Sequence, residues 1–354
     1  MRCTSHLLVI WEAKSRILFS RCAQTMPPCK VSDIFRGMQY GVHRILTDKF
    51  VKYRDMLEFE NFIKECHRRF KNCSNCADNC PIDHYCLKCS KNECDCAACM
   101  KYIQFNVSPI FPYSCRKITF HYVLQFFNRF ASEISYALRI WKSTKSKTIS
   151  IASLGCGPGS EVFGIIDAFR TVAPNFTISY QGYDMNNIWE EVQNVCVDAF
   201  NQSPHNIEFY TMDMFAGWQG DETVDVLIMN YLLSDAVKFQ AKGQKEQFLQ
   251  EIENFIIDKK VKLILFNDIN YYGNDNQLDS GVQMMRSLIK NIKNRIRKGS
   301  GKCLCFPGDP YSGGMKWRQY TSNSLLFPLL KENKEVKCNQ YCGSKQILLI
   351  LEHL

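Results

Sequence analysis

Long hydrophobic runs are missing from this 354-residue chain. No stretch of about 18 uncharged apolar residues occurs, which excludes a membrane-spanning helix and argues against membrane insertion. Compositional extremes are missing too. Apolar residues make up 46% and charged residues 22%, which excludes a disordered tail protein or a fibrous repeat. A secretory core is also wanting. The apolar patch His6–Trp11 is cut off by Glu12 and Lys14, short of the roughly 7–15 residues such a core needs. The expected location is therefore cytoplasmic or nuclear, where thiols stay reduced. The first 30 residues carry five Lys/Arg and one acid, so a mitochondrial presequence is the alternative.

Acid is scarce in one half only. Residues 1–147 hold 24 Lys/Arg against 12 Asp/Glu, whereas residues 148–354 hold 20 against 23. A basic half suggests an anionic partner, with RNA as first choice. The alternative is an ordinary Lys-rich surface. Length suggests two or three domains. Residues 1–30, ending at Met26-Pro27-Pro28, read as a poorly ordered leader. Residues 31–142 read as a helical region. Val42, Ile45, Leu46, Phe50, Tyr53 and Leu57 recur at helical steps between Asp33 and Phe70. A second amphipathic helix is expected over about His121–Trp141, and Ser143–Lys147 is a polar linker.

From residue 148 the texture changes to short apolar runs alternating with helical segments. Strands are expected at Thr148–Leu154, Thr177–Tyr183, Asn206–Thr211, Val224–Asn230, Val261–Phe266 and Gln346–Leu351. That alternation predicts an α/β fold, a Rossmann-like, doubly wound and mostly parallel sheet with helices on both faces.

The first strand runs into Leu154-Gly155-Cys156-Gly157-Pro158-Gly159-Ser160, after which a helix opens. Glycines at such a junction let the backbone turn sharply, and the helix offers its N-terminal amides to a ligand. The dinucleotide spacing G-x-G-x-x-G would need glycine where Ser160 stands. The second strand ends at Asp184, 25 residues after Gly159, where a carboxylate can accept both hydroxyls of a ribose. The third ends at Asp213, placed to accept from an adenine amino group. The fourth ends at Asn230 and Tyr231, at the carboxyl edge where ligands sit in such sheets.

Residues 148–354 resemble the class I S-adenosylmethionine-dependent methyltransferases. The matching pieces are Leu154–Ser160, Gly182-Tyr183-Asp184-Met185, Met212-Asp213-Met214 and Asp225–Asn230. The resemblance implies S-adenosylmethionine as cofactor and a seven-stranded sheet whose last strand is antiparallel. It implies that Gly155, Cys156, Gly157 and Gly159 line the methionine and ribose portion. It further implies that Asp184 binds the ribose, that Asp213 with Met214 contacts the adenine, and that Met185 and Asn230 are further cofactor-binding positions. One departure is Ser153, at the position two before the first glycine where the family often has an acid; the serine can still be a hydrogen-bond partner there.

The methyl acceptor is less legible: RNA is expected first, protein second and a small molecule third. A catalytically inactive scaffold or zinc-dependent binding protein of the same fold is the alternative. The Pro-Pro run of enzymes that methylate amino groups in nucleic acids is absent after Asn230. No cysteine occurs between Asp225 and Asn276, which argues against carbon-5 cytosine chemistry. Asn230, Tyr231, Asp235 and Asp268 are the catalytic candidates, and Asn267 and Asn270 could orient an acceptor. Turn and cap roles are the alternative. Arg286, Lys290, Lys293, Arg295, Arg297, Lys298 and Lys302 fall within 17 residues, mostly on a helix expected over Gly281–Lys298, as a second RNA-contacting cluster. Tyr271, Tyr272, Phe306, Tyr311, Trp317 and Tyr320 could stack on bases.

Nineteen cysteines are present, nine of them between Cys66 and Cys99. The order Cys73-x2-Cys76-x3-Cys80, His84-x-Cys86-x2-Cys89, Cys94-x-Cys96-x2-Cys99 contains three C-x2-C pairs. Each pair puts two sulfurs on one side of a turn, suiting a tetrahedral ion at about 2.3 Å. Structural zinc is the expectation, disulfides or free thiols the alternatives.

Overall fold

The computed structural model describes residues 57–73, 95–105, 113, 115–141, 147–172, 176–220, 223–239, 242–269, 280–307 and 316–353. The leader, most of the expected 33–70 helix and most of the 143–147 linker lie outside the described residues. Backbone contacts divide the chain into Met1–Leu57 and Glu58–Leu354. The sheet and, apart from Leu57, the described helices belong to the second unit.

Among the described residues three helices come first: α1 (residues 57–72), α2 (Cys96–Phe105) and α3 (Arg116–Leu138). Then β1 (Thr148–Leu154), α4 (Ser160–Val172), β2 (Thr177–Asp184), α5 (Glu190–Ala199) and β3 (Asn206–Thr211) form two βαβ units. They continue through β4 (Val226–Asn230), α6 (Leu232–Phe239), α7 (Lys242–Asp258), β5 (Leu263–Asp268) and α8 (Gly281–Ile292). β6 (Lys298–Cys305), β7 (Arg318–Gln319) and β8 (Lys345–Glu352) complete one sheet of order β3-β2-β1-β4-β5-β8-β6-β7. The first five of these pair in parallel, and β8 inserts antiparallel between β5 and β6. This is the Rossmann-like order with an antiparallel last strand.

The central strands are apolar on both faces because helices cover both. Ile149 and Ile151, Val226 and Ile228, and Leu263 and Leu265 enter one core cluster. Their alternates Ala152 and Leu154, Leu227 and Met229, and Ile264 and Phe266 enter the other. The two-residue period of a strand thus feeds two cores from one sheet. Phe59, Phe62 and Ile63 of α1 and much of α3 belong to the first cluster. The change of texture near residue 143 is therefore not a gap between cores.

Several expectations shift. The second amphipathic helix starts earlier, at Arg116, and is buried nearly all round, with Asn128, Ser132 and Glu133 among its inward groups. Their bonds explain the burial of polar side chains. Asn128 donates to the Pro328 carbonyl at 2.8 Å, and the Ser132 hydroxyl accepts from the Leu326 amide at 2.9 Å. The sheet has eight strands, not seven, because the two-residue β7 pairs with β6. The helix expected over Gly281–Lys298 stops at Ile292, and Lys298 opens β6. The basic cluster is thereby split, with only Arg286 and Lys290 on the helix. β6 reads Lys-Gly-Ser-Gly-Lys-Cys-Leu-Cys, which has no alternating apolar pattern. It is a strand because β8 presents a partner edge along its whole length.

The α3–α4 crossing gives a test. A Cβ on Gly164 would lie 2.4 Å from the Ala131 carbonyl oxygen and 3.0 Å from the Ile134 Cβ. In an open helix Gly→Ala stabilises by roughly 1 kcal/mol. Here backbone must move, and overpacking of about 1–3 kcal/mol outweighs that gain. Gly164→Ala should lower the urea midpoint; an unchanged or raised midpoint would show that the two helices do not meet this closely.

Candidate functional site

The glycine loop leaves β1 and enters α4 with Gly155, Gly157 and Gly159 at φ of 63°, 50° and 74°. These left-handed values favour glycine. Their side-chain directions differ. A Cβ on Gly157 would find only the Trp189 ring, at 3.8 Å, whereas one on Gly159 would strike the Phe209 ring at 2.5 Å. Gly157 therefore keeps a cradle open, and Gly159 permits close packing against β3.

Asp184 closes the loop from the end of β2. Its carboxylate accepts from the Gly157 amide and the Asn186 amide, each at 2.9 Å. Burial raises its pKa above the ordinary carboxylate value, and the two amides, by favouring the charged form, pull it part of the way back. Asp213, after β3, accepts from the Phe215 amide at 2.9 Å and is otherwise exposed. Asn230 ends β4, its side-chain oxygen taking an Asn267 amide proton at 2.8 Å.

These strand ends surround one cavity of about 680 Å³. Gly155, Cys156, Gly157, Asp184, Met185, Asp213, Met214 and Asn230 line it, as do the candidates Tyr231 and Asp235. Met185 is 79% exposed and Met212, also in the lining, 36%. Two of the large apolar side chains left to solvent thus flank the same opening, as a site for a flat apolar group would require.

Three sequence-predicted residues lie elsewhere. Gly159 packs on Phe209. Ser153 is wholly buried and donates to Glu161 at 2.6 Å, and the Tyr180 hydroxyl donates to the same carboxylate at 2.8 Å. The acid absent at Ser153 is thus met by one from the first turn of α4, and burial raises Glu161 above the usual carboxylate range. Asp268 is buried at the end of β5, where it accepts from the Ser234 and Ile269 amides at 2.8 and 2.7 Å. Burial pushes it up to about 7. It caps the start of α6 and does not line the cavity.

Tyr231 adopts a left-handed φ of 58°, rare for a bulky residue. Two bonds hold it there: its amide donates to the Asn267 carbonyl at 2.7 Å, and its hydroxyl donates to Glu133 at 2.8 Å. Glu133, fully buried on α3, also takes Asn267 at 3.1 Å, the Gly343 amide at 2.8 Å and Arg129 at 2.8 Å. α3, β4, β5 and the approach to β8 are thereby tied together at one carboxylate.

Reasoning from sequence missed the aromatic wall. Tyr113, Tyr122, Phe130 and Trp189 line the cavity beside Tyr231. Tyr122, Phe126 and Phe130 recur every four residues on α3, a stripe at helical spacing that marked this face. Glu161 and Glu133 carried no such signal.

Of the expected metal ligands, Cys76, Cys80, His84, Cys86, Cys89 and Cys94 lie outside the described residues. Cys96 and Cys99 are buried on α2, and Cys73 is half-buried after α1. Among the described residues no three His, Cys, Asp or Glu side chains converge on a metal-sized site. None of the basic residues between 286 and 302 is among the described lining residues of the cavity, and Arg295 is bonded to Glu253 at 3.0 Å. Phe306 and Tyr320 stack on each other at 4.6 Å. Trp317 faces Lys345 at 4.9 Å. Tyr271, Tyr272, Tyr311 and Asn270 lie outside the described residues. Among the described residues no helix is long and apolar enough to cross a membrane.

No family model matches the chain, and no curated protein matches it. Among solved structures it is similar to a Listeria monocytogenes protein assigned to the class I S-adenosylmethionine-dependent methyltransferases. That match has 14% identity over 64% of this chain and a TM-score of 0.38, and it spans only 60% of the Listeria chain. A second is the plantazolicin methyltransferase BpumL in complex with SAH, at 14% identity over 73% of this chain and 99% of that one, TM-score 0.39. A third is the magnesium protoporphyrin IX methyltransferase of Synechocystis PCC 6803 with bound SAM, at 10% identity over 73% and 97%, TM-score 0.35.

Proposed function

We propose that this chain is an enzyme that transfers a methyl group from S-adenosylmethionine. The observation that carries the reading is the convergence of four strand ends on one cavity. The open Gly157 cradle, Asp184 and Met185, Asp213 and Met214, and Asn230 with Tyr231 all border it. The residues fit the cofactor. Asp184 would accept from the ribose hydroxyls, Asp213 from the adenine amino group, and the loop amides would face the methionine portion. When bound, the cofactor supplies an electrophilic methyl on a sulfonium. The chain's own residues position it and shield it from water.

The test is calorimetry with S-adenosylhomocysteine on the full chain, followed by tritiated-methyl transfer over RNA, protein and metabolite pools. Saturable 1:1 binding and a labelled product are expected. Absence of binding would overturn the reading, and binding without transfer to any pool would favour the inactive scaffold. RNA as a carrier rests on the excess of Lys/Arg in residues 1–147. If it holds, RNA affinity falls with salt at a log–log slope of about −0.7 per phosphate contact.

Zinc in the cysteine block rests on the three C-x2-C spacings, with Cys73, Cys96 and Cys99 as its described members. Elemental analysis should find one or two zinc ions per chain. A metal-free, folded preparation would sink that assignment.

A further inference from the structure

Glu161 stands in the first turn of α4 with no exposed surface, and it is not among the described lining residues of the cavity. Its carboxylate nonetheless gathers three strands. One oxygen accepts from the Ser153 hydroxyl of β1 at 2.6 Å and from the Tyr180 hydroxyl of β2 at 2.8 Å. The other lies 3.5 Å from the Ser160 hydroxyl. Burial raises this acid first, and the side-chain amide of Asn230, on β4, is among the donors that draw it back. The same amide donates to Ser160 at 3.4 Å. Ser160 and Asn230 both line the cavity.

An asparagine side chain has a donating nitrogen and an accepting oxygen, and its partners decide which way round it sits. Here both sides agree. Ser160 and Glu161 take the nitrogen of Asn230. Asn267, opposite Asn230 in the β4–β5 pairing, gives its own amide to the Asn230 oxygen at 2.8 Å. Asn267 is fixed in turn: its nitrogen also donates to Glu133 at 3.1 Å, and its oxygen accepts from Gln346 at 2.8 Å. A row of amides thus runs from one buried carboxylate to another, and Asn230 stands half-buried at the cavity edge. Its oxygen has two lone pairs, so it can take a second donor beside Asn267.

The methionine portion of the cofactor is a zwitterion. Its carboxylate suits the amides of the loop and of the α4 N-terminus. Its ammonium only donates, and those amides offer it nothing. The Ser153 hydroxyl is committed to Glu161. We infer that Glu161 is a positioning residue of the methyl-transfer site: it turns Asn230 so that the side-chain oxygen, rather than the nitrogen, meets the ammonium of the cofactor. This rests on the methyl-transfer reading of the same cavity. Glu161 acts through Asn230 and touches no ligand itself. A donating group in its place lets the Asn230 amide turn over, which sets one donor against another at the cavity edge.

The test is calorimetry on the full-length chain with two probes, S-adenosylhomocysteine and methylthioadenosine. The second has the same adenosine and thioether but no amino-acid portion. Glu161→Gln keeps an oxygen for Ser153 and Tyr180 and aims a donor at Asn230. It should weaken S-adenosylhomocysteine about tenfold or more, the usual loss for one hydrogen bond to a charged group. Methylthioadenosine should bind as it does to the parent. Adding Asn230→Asp to Glu161→Gln exchanges donor and acceptor within the pair, returns an accepting oxygen to the cavity edge and should recover most of the lost affinity. A merely structural role would weaken both probes together and would not be repaired by the exchange. If Glu161→Gln does not fold, Asn230→Ala in the parent removes the same oxygen and should give the same selective loss. Unchanged S-adenosylhomocysteine affinity in the foldable variant, equal losses for the two probes, or no recovery in the double variant would overturn the inference and leave methyl transfer standing. Absence of S-adenosylhomocysteine binding to the unmutated chain would instead remove the reading beneath it.

Discussion

Glu133→Leu should cost this protein about 3–5 kcal/mol of stability, the range for breaking a buried pair on one side. The carboxylate has no exposed surface and takes four donors: Arg129, Tyr231, Asn267 and the Gly343 amide. Leucine fills the space but strands all four. Arg129 suffers most, since its side chain is only 15% exposed and cannot readily reach water. Set against a total of about 5–15 kcal/mol for a typical domain, the loss is large. Glu133→Gln should cost less, because one side-chain oxygen still accepts. Chemical denaturation of the three proteins measures the order. A Leu variant within about 0.5 kcal/mol of the parent, the scatter of ordinary surface changes, would show that the network does not form.

The same substitution should reach the cavity. Tyr231 pays about 1–3 kcal/mol for its left-handed backbone, and the Glu133 bond is one of the two that hold it there. Without that bond the ring is free to leave the aromatic wall. Acceptor turnover should therefore fall in Glu133→Leu more than cofactor affinity does, and by less in Glu133→Gln, which keeps one accepting oxygen.

Asp184→Ala is expected to weaken S-adenosylmethionine by about 1.5–3 kcal/mol for each ribose hydrogen bond lost. That is at least tenfold in the dissociation constant, and a hundredfold or more if both go. The carboxylate also accepts two loop amides before any ligand arrives. The variant should consequently lose some stability in the absence of cofactor, about 1 kcal/mol per bond. Measuring the ligand-free denaturation midpoint beside calorimetric affinity separates the two effects. Asp213→Ala supplies the contrast. Asp213 is exposed and accepts one amide of its own turn, so screening by solvent should limit its loss to about 1 kcal/mol. Equal affinity in Asp184→Ala and the parent would reject the ribose assignment.

The sequence by itself determined the sheet's central strands and their order of chemistry. Ile149–Leu154, Val226–Asn230 and Leu263–Phe266 are apolar on both faces because helices must cover both, and that pattern is local. The glycine loop was equally legible, since left-handed backbone at three positions in five residues restricts the residue types allowed. Asp184 and Asp213 followed, because strand ends in such a sheet lie beside the loop.

Tertiary structure decided the rest. β6 is a strand only because β8 offers an edge to Lys298–Cys305, which nothing in its own composition announces. That choice ended α8 at Ile292 and divided the basic cluster. Ser153 looked like a cofactor ligand and became a donor to Glu161, because both are buried beneath the loop, where a carboxylate must find donors. Gly159 looked like lining and became a packing contact against Phe209, a residue 50 positions away. The aromatic wall and the Glu133 network join residues of α3 to the ends of β4 and β5, 98 and 134 positions on. Such contacts depend on which helix closes over which strand end, and no period along one segment of chain records that.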